Sequence, residues 1–461
     1  MVKRWAMQRA WHNHRKAILP RNRIARWTQP GCSQYYHSLS TNSNSVPCTA
    51  DVRYHSKHKM RLCSFQQPRN FVTTAIPSVF VPPLIFFGLL ISLWTWKCFW
   101  IVIMQDKLLY LSWLPPFARS EKISDYEAEC RPVQWTEKRI RSLDGTKLTV
   151  CEGRITDQNR NGRTPTPKSN KRSVVVCYFQ GNGGSTPLRL PLLSQVLRTI
   201  ETSKSTPSST SSSEKTDYTI VALSYRGYWT SSGRATQSGI ELDAQAFLDW
   251  VSKTYVIPDI DLKVILWGHS LGAAIASTAT ATYLSRHGEQ SSGNEMNIPC
   301  PVNIAGLVLE APSSNIKDML ISLYPQKWLP YRYLWPFSWN HWSCTTAMEK
   351  LACWRDHGRN QHSKTSHEGM SEAPEFGDSH LSSVSFRSIP PILLLSAGDD
   401  EVIPPHVADG LESDAKRLRM DLERKDVSGA LHTEAPLKMS GRATLVNFIL
   451  KTSSPKRKIF S

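Results

Sequence analysis

Residues 263–283 read KVILWGHSLGAAIASTATATY, and three different patterns meet within them. Lys263–Trp267 is a short apolar run, the signature of a strand covered on both faces. Ala273–Tyr283 has helical periodicity. Between them lies Gly268-His269-Ser270-Leu271-Gly272, a Gly-x-Ser-x-Gly pentapeptide with no residue to spare for a loop. A strand that runs directly into a helix at a serine must turn sharply. Such a turn exposes the hydroxyl at the strand's end and lets the flanking glycines pack against neighbouring backbone. The helix amino terminus behind it supplies free N–H groups and the positive end of a dipole. Ser270 is therefore the candidate nucleophile, and the N–H of Leu271 the first candidate donor to an oxyanion.

Similar runs recur on both sides of this segment. Gln134–Leu143 and Thr146–Ile155 flank Asp144-Gly145 and predict a hairpin. Ser173–Phe179, Tyr218–Ser224, Ile304–Glu310 and Pro391–Ser396 are further strand candidates, with helical patterns such as Gly239–Thr254 between them. The alternation predicts an α/β fold with a mostly parallel central sheet and helices on both faces. Three polar stretches, Thr156–Lys171, Glu201–Lys215 and Arg355–Arg387, read as surface insertions or disordered loops.

A serine nucleophile needs a base, and the base needs an orienting carboxylate. With this kind of elbow the chain order is Ser, Asp/Glu, His. After the strand at Pro391–Ser396 come Asp399, Asp400 and Glu401, and chemistry alone does not choose among them. Further on, after a strand expected at Arg424–Val427, lies His432, the only histidine beyond His406. The glycine-rich turn Gln180-Gly181-Asn182-Gly183-Gly184-Ser185 follows an earlier strand and can aim backbone amides at the site. Asn182 N–H is the favoured second oxyanion donor, with Gly183 as runner-up. No Gly-Lys-Ser/Thr follows, which argues against a phosphate-cradling loop.

Taken together, the Ser270 elbow, FQGNGGS at 179–185, Tyr225-Arg226-Gly227-Tyr228, Gly239-Ile240-Glu241-Leu242-Asp243-Ala244 and DDEVIPP at 399–405 resemble membrane-anchored α/β-hydrolase-domain serine hydrolases. That group includes monoacylglycerol and lysophospholipid lipases, protein depalmitoylases and fungal bud-emergence relatives. The resemblance covers roughly Gln105 to Leu450 and implies the α/β-hydrolase fold. It also implies that the acid preceding Glu-x-x-Pro, Asp400, joins Ser270 and His432, with Asp399 and Glu401 in support. No cofactor is implied. Two departures stand out: Gln180 where the group usually has His, and Thr433-Glu434-Ala435 after His432 where it often has Asn-Asp-Thr.

Eight aromatic residues lie between Tyr324 and Trp342. They fall after a strand, within a lid-like insertion expected at about 313–388, where this fold commonly carries one. Such a segment either lines an acyl pocket or bilayer contact, or forms a second small core on the sheet. Cys151 and Cys177 belong to strand runs and read as core. Cys344 and Cys353 are the candidate pair for a disulfide in an oxidising compartment.

The amino-terminal third is different in kind. Residues 1–70 hold thirteen Lys/Arg against one Asp, so +12 of the net charge of +18 sits in this tail. A nucleic-acid groove through the fold is therefore not expected. Residues 1–50 contain no acid and are rich in Arg and Ser, the composition of a mitochondrial transit peptide or of a basic tail beside an anchor. Leu84–Met104 is a 21-residue apolar span interrupted by Lys97, with Trp94, Trp96 and Trp100 suited to a membrane interface. The expected organisation is a tail at 1–70, a single transmembrane anchor at 71–105 and a hydrolase domain at 106–461. Flanking charge puts the amino terminus on the cytosolic or matrix side, leaving the mitochondrial inner membrane and the endoplasmic reticulum membrane both open.

The expected activity is hydrolysis of acyl esters, with a lipid or acylated substrate met at a membrane. Monoacylglycerol, lysophospholipid and acyl-thioester substrates all fit. A catalytically silent scaffold and a serine peptidase on the same fold are the alternatives.

Overall fold

The computed structural model describes residues 77–155, 172–204, 216–289, 302–368 and 387–454. The basic tail, with the transit-peptide reading placed on it, lies outside these residues. So do Thr156–Lys171, most of the Ser/Thr run and the second half of the His/Ser/Glu-rich stretch.

Eight strands form one sheet: β1 (Val133–Arg141), β2 (Lys147–Ile155), β3 (Arg172–Phe179), β4 (Thr216–Ser224), β5 (Asp261–His269), β6 (Asn303–Glu310), β7 (Ile392–Ala397) and β8 (Leu422–Val427). Their order is β1-β2-β4-β3-β5-β6-β7-β8. Pairing is antiparallel for β1–β2 and β2–β4, and parallel from β4 to β8. The principal helices are α1 (Val81–Ile103), α2 (Gln105–Tyr110), α3 (Leu190–Lys204), α4 (Gln237–Tyr255), α5 (Leu271–Glu289), α6 (Ile316–Leu323), α7 (Cys344–Glu368), α8 (Pro405–Arg417) and α9 (Met439–Ser453).

The apolar runs in the central strands follow from two-sided burial. Val175, Cys177 and Phe179 of β3 join Val264 and Leu266 of β5 in a core shared with α4, α5 and α8. Val174, Val176 and Tyr178 join Ile265 and Trp267 in a second core shared with α3 and α9. Alternate residues thus serve opposite faces, and both faces are dry. The hairpin turn forms where Asp144-Gly145 places it, with Gly145 at φ +84° and its N–H donating to Ser142 O at 2.9 Å.

The Tyr225-Arg226 segment is fixed by a buried ion pair. Arg226 donates to both carboxylate oxygens of Asp243 on α4, at 2.7–3.1 Å, and to Asp144 Oδ2 in the hairpin turn at 2.7 Å. One guanidinium therefore ties β4's exit to α4 and to the β1–β2 turn. Asp243→Ala leaves this cation buried without its main partner, and should destabilise the fold by about 3–5 kcal/mol. A fall in the denaturation midpoint of the purified chain checks this.

Two expectations change. Arg355–Arg387 is not loop throughout, because α7 continues to Glu368. The first part of α7 is buried through Cys344, Met348 and Leu351, and extending an established helix through polar residues is cheap. Arg355 itself is tied down by bonds to the carbonyls of Leu418 and Arg419 at 3.1 and 3.0 Å. Cys344 and Cys353 are free thiols. Both lie on α7, nine residues apart, which puts them on opposite sides of a rigid helix and about 13 Å apart along its axis. Cys151 and Cys177 are fully buried in the core, as expected.

The helix α1 begins with Pro82 and Pro83 in its first turn, where proline is tolerated. It belongs to a stretch, Ser78–Ile103, long and apolar enough to cross a membrane, and none of that stretch is buried against the protein. The aromatic segment 324–342 does not form a second core. Trp342 inserts into the main core, whereas Trp328, Tyr333, Trp335, Phe337 and Trp339 remain exposed.

Candidate active site

The turn between β5 and α5 is as sharp as the pentapeptide requires. Ser270 sits at φ +54°, a left-handed conformation that costs an L-residue about 1–2 kcal/mol. It persists because its surroundings leave no alternative. Ser270 N–H donates to Glu310 O at 2.8 Å, tying the elbow to the end of β6. A Cβ on Gly268 would lie 2.2 Å from Gly272 O, and one on Gly272 would lie 2.1 Å from Phe179 O. The two glycines let helix α5 and strand β3 close on the elbow with backbone against backbone.

Three distant turns meet at this rim of the sheet. Ser270 Oγ lies 2.9 Å from His432 Nε2. His432 Nδ1 lies 2.8 Å from Asp400 Oδ2 and 3.0 Å from Oδ1. Asp400 Oδ1 also accepts the N–H groups of Val402 and Ile403, at 2.8 and 2.7 Å. The three-acid ambiguity is thereby resolved in space. Asp400 faces the imidazole, Glu401 accepts the backbone N–H of His432 at 3.0 Å, and Asp399 is exposed. With Nδ1–H donating to Asp400, Nε2 is left free to accept the Ser270 proton. The arrangement can therefore deprotonate a hydroxyl as it attacks a carbonyl.

The glycine-rich loop after β3 separates the two candidate donors. Gly183 N–H donates to Tyr110 O at 2.9 Å, and Gly184 N–H to Leu114 O at 2.6 Å. Both amides are committed to the segment that follows α1. Asn182 N–H and Leu271 N–H have no backbone acceptor among the described residues, which favours Asn182 over Gly183. Gln180 is buried and turned away from this role. Its Oε1 accepts from Thr186 Oγ1 at 3.2 Å, and its carbonyl accepts from Tyr225 OH at 2.8 Å. Gln180 thus supports the loop through its side chain and its carbonyl.

Two buried groups behind the elbow escaped the sequence reading. His269 Nε2 lies 3.3 Å from His432 O, and the ring is held neutral because burial, then Arg189 and His432, push its pKa well down. Glu310 is fully buried, accepts Trp267 Nε1–H at 2.7 Å, and its pKa is pushed up to about 8 by burial. The signal was present in Ile304–Glu310, an otherwise apolar strand that ends in an acid. Below about pH 4.5 folded and unfolded chains both hold this proton; as pH rises the unfolded carboxylate ionises first, so stability declines until pH passes about 8. Glu310→Gln keeps an acceptor for Trp267 and should flatten that decline by a few kcal/mol. Melting temperatures of both chains between mildly acidic and mildly alkaline pH check it.

A cavity of about 560 Å³ lies beneath the aromatic segment, bounded by Asn315, Trp335, Asn340, Thr345 and His406. Ser270 and His432 do not line it.

Topology and elbow together define an α/β-hydrolase-fold protein. The alpha/beta hydrolase family model matches residues 209–435. Among curated proteins, the chain is similar to the alpha/beta hydrolase domain-containing protein WAV2 of Arabidopsis thaliana, 26% identical over 50% of this chain and 58% of that one. It is 24% identical to protein bem46 of Schizosaccharomyces pombe over 33% of this chain and 39% of that one. It is 27% identical to the lysophosphatidylserine lipase ABHD12 of Xenopus tropicalis over 44% of this chain and 40% of that one. The chain spans about half the length of the curated relatives it matches. Solved structures with a similar fold include a Pyrococcus furiosus esterase (13% identity, TM-score 0.43, 72% of this chain and 95% of that one). An alpha-beta hydrolase from Vibrio vulnificus is another (14% identity, TM-score 0.45, 75% and 92%).

Proposed function

We propose that this protein is a membrane-anchored serine hydrolase of lipid acyl esters. The observation that carries the reading is the contact chain Ser270–His432–Asp400, with hydrogen-bond distances at both links. Ser270 attacks the acyl carbonyl while His432 takes its proton, and Asp400 holds the imidazole in the tautomer that can accept it. The N–H groups of Leu271 and Asn182 receive the oxyanion. His432 then protonates the leaving alcohol, and water releases the acyl group from the serine by the reverse sequence.

The similarity to a lysophosphatidylserine lipase supports a single-chain lysophospholipid as substrate. Helix α1 supports single-pass anchorage, with a tail at 1–70, the anchor at 71–105 and the hydrolase domain at 106–461. The test is fatty-acid release by the full chain in detergent micelles, comparing lysophosphatidylserine, monoacylglycerol, a water-soluble short-chain ester and a peptide amide. Release from the lipid esters with burst-phase acyl-enzyme supports the reading. Cleavage of the peptide alone, or of none of the four, overturns it.

A further inference from the structure

The exposed aromatic segment is physically joined to helix α1. The rings of Trp94 on α1 and Trp328 lie 6.1 Å apart. Gln105, two residues beyond the end of α1, donates from Nε2 to Phe337 O at 3.2 Å and accepts at Oε1 from Trp339 N–H at 3.0 Å. Asp106 accepts from Trp339 Nε1 at 3.1 Å and from Asn340 Nδ2 at 2.9 Å. These bonds fix the segment's height against the helix. Trp94 precedes the end of α1 by nine residues, so the segment runs beside the last ~13 Å of the helix, from Trp339 at Gln105 to Trp328 at Trp94.

Its chemistry matches that position. Trp328, Tyr333, Trp335, Phe337 and Trp339 are each between 43% and 67% exposed. No Asp or Glu occurs from Met319 to Met348, whereas Lys327 and Arg332 do. Lys317 Nζ lies 5.0 Å from the Trp335 ring centroid, and the Arg332 guanidinium 5.6 Å from that of Tyr333. The acid bonded to these rings, Asp106 at Trp339, is buried, so the solvent-facing charges beside them are Lys317 and Arg332, a combination that suits the headgroup layer of an anionic phospholipid bilayer. Lys97 and the tryptophans around it mark the same level on α1.

We infer that residues 328–339 form a bilayer-docking surface, a second aromatic belt that runs from the membrane interface into the outer hydrocarbon beside α1. The inference rests on the reading of α1 as a membrane span, because the span sets the level at which these rings sit. A second copy or a soluble partner is disfavoured, since the segment is bonded to Gln105 and Asp106 and touches Trp94, so a helix that spans the bilayer carries these rings to the membrane. The belt is also joined to the site. Asn340 accepts from Tyr110 OH at 2.7 Å, and Tyr110 O accepts from Gly183 N–H beside Asn182. Docking therefore holds the oxyanion loop close to the lipid surface, where a single-chain lipid has little distance to travel to Ser270.

The test uses the full chain in phosphatidylcholine–phosphatidylserine nanodiscs made with and without brominated acyl chains, which quench tryptophan at bilayer depth. Combined Trp328→Phe and Trp335→Phe should lower the quenched emission by about one-third, two of the six tryptophans expected at that level (94, 96, 100, 328, 335 and 339). Trp250→Phe, on α4, should leave it unchanged. If the double variant leaves the quenched share intact while Trp94→Phe with Trp100→Phe lowers it, α1 is in the bilayer and the docking surface is refuted. If neither pair changes it, the span reading itself fails and takes this inference with it.

Discussion

Ser270→Ala should abolish both ester hydrolysis and covalent labelling by a fluorophosphonate, with a fall in kcat on the order of 10⁶. The reasoning is local. The only side-chain bond that Ser270 makes among the described residues is to His432, and its structural bond, N–H to Glu310 O, belongs to the backbone and survives. The variant should fold, bind substrate and do no covalent chemistry. KM for a lipid ester should therefore change little where turnover is still measurable. Labelling separates this outcome from a folding defect, since a well-folded chain with a normal melting temperature and no adduct isolates the nucleophile. An adduct forming on the Ser270→Ala variant at the wild-type rate would move the nucleophile elsewhere and remove the basis of the proposed mechanism.

Much of this site was legible because each component combines a residue type with a local pattern. An apolar run followed by Gly-x-Ser-x-Gly and a helical pattern has few ways to fold, and the elbow formed as expected. The edges of β3 through β7 fell within a residue or two of the apolar runs, since burial on both faces selects for those residues. His432 was accessible by elimination and chain order. What stayed hidden were contacts whose partners are backbone atoms far apart in sequence. Nothing in the identity of Gly183 announces that its amide is taken by Tyr110 O, because any residue at position 110 presents a carbonyl. The same holds for Ser270 N–H on Glu310 O. The polar half of α7 was misread because composition reports exposure, and an exposed helix continued from a buried one looks like a loop. The expected Cys344–Cys353 pair fails for a related reason: both thiols lie on α7, and helical geometry forbids the bond.

Asp400→Asn should lower kcat by about 10⁴ while leaving the fold intact. The asparagine carbonyl can keep accepting from Val402 and Ile403, the two backbone bonds that hold this turn. Its amide would then face His432 Nδ1 with a donor where a carboxylate acceptor stood. The imidazole responds by moving its proton to Nε2, which then donates toward Ser270 and can no longer act as its base. Geometry is preserved and the tautomer is wrong, so the loss should appear in kcat and in the rate of fluorophosphonate labelling, with the melting temperature little changed. The neighbouring acids provide the control that chain position alone could not. Asp399→Asn alters an exposed carboxylate and should leave turnover within a few-fold. Glu401→Gln retains an acceptor for His432 N–H and should cost about tenfold or less, the scale of one weakened backbone bond of about 1 kcal/mol. If Asp399→Asn produced the large loss and Asp400→Asn the small one, the orienting carboxylate would be the wrong one of the three. The loop carrying it would then have to rearrange before the serine could react.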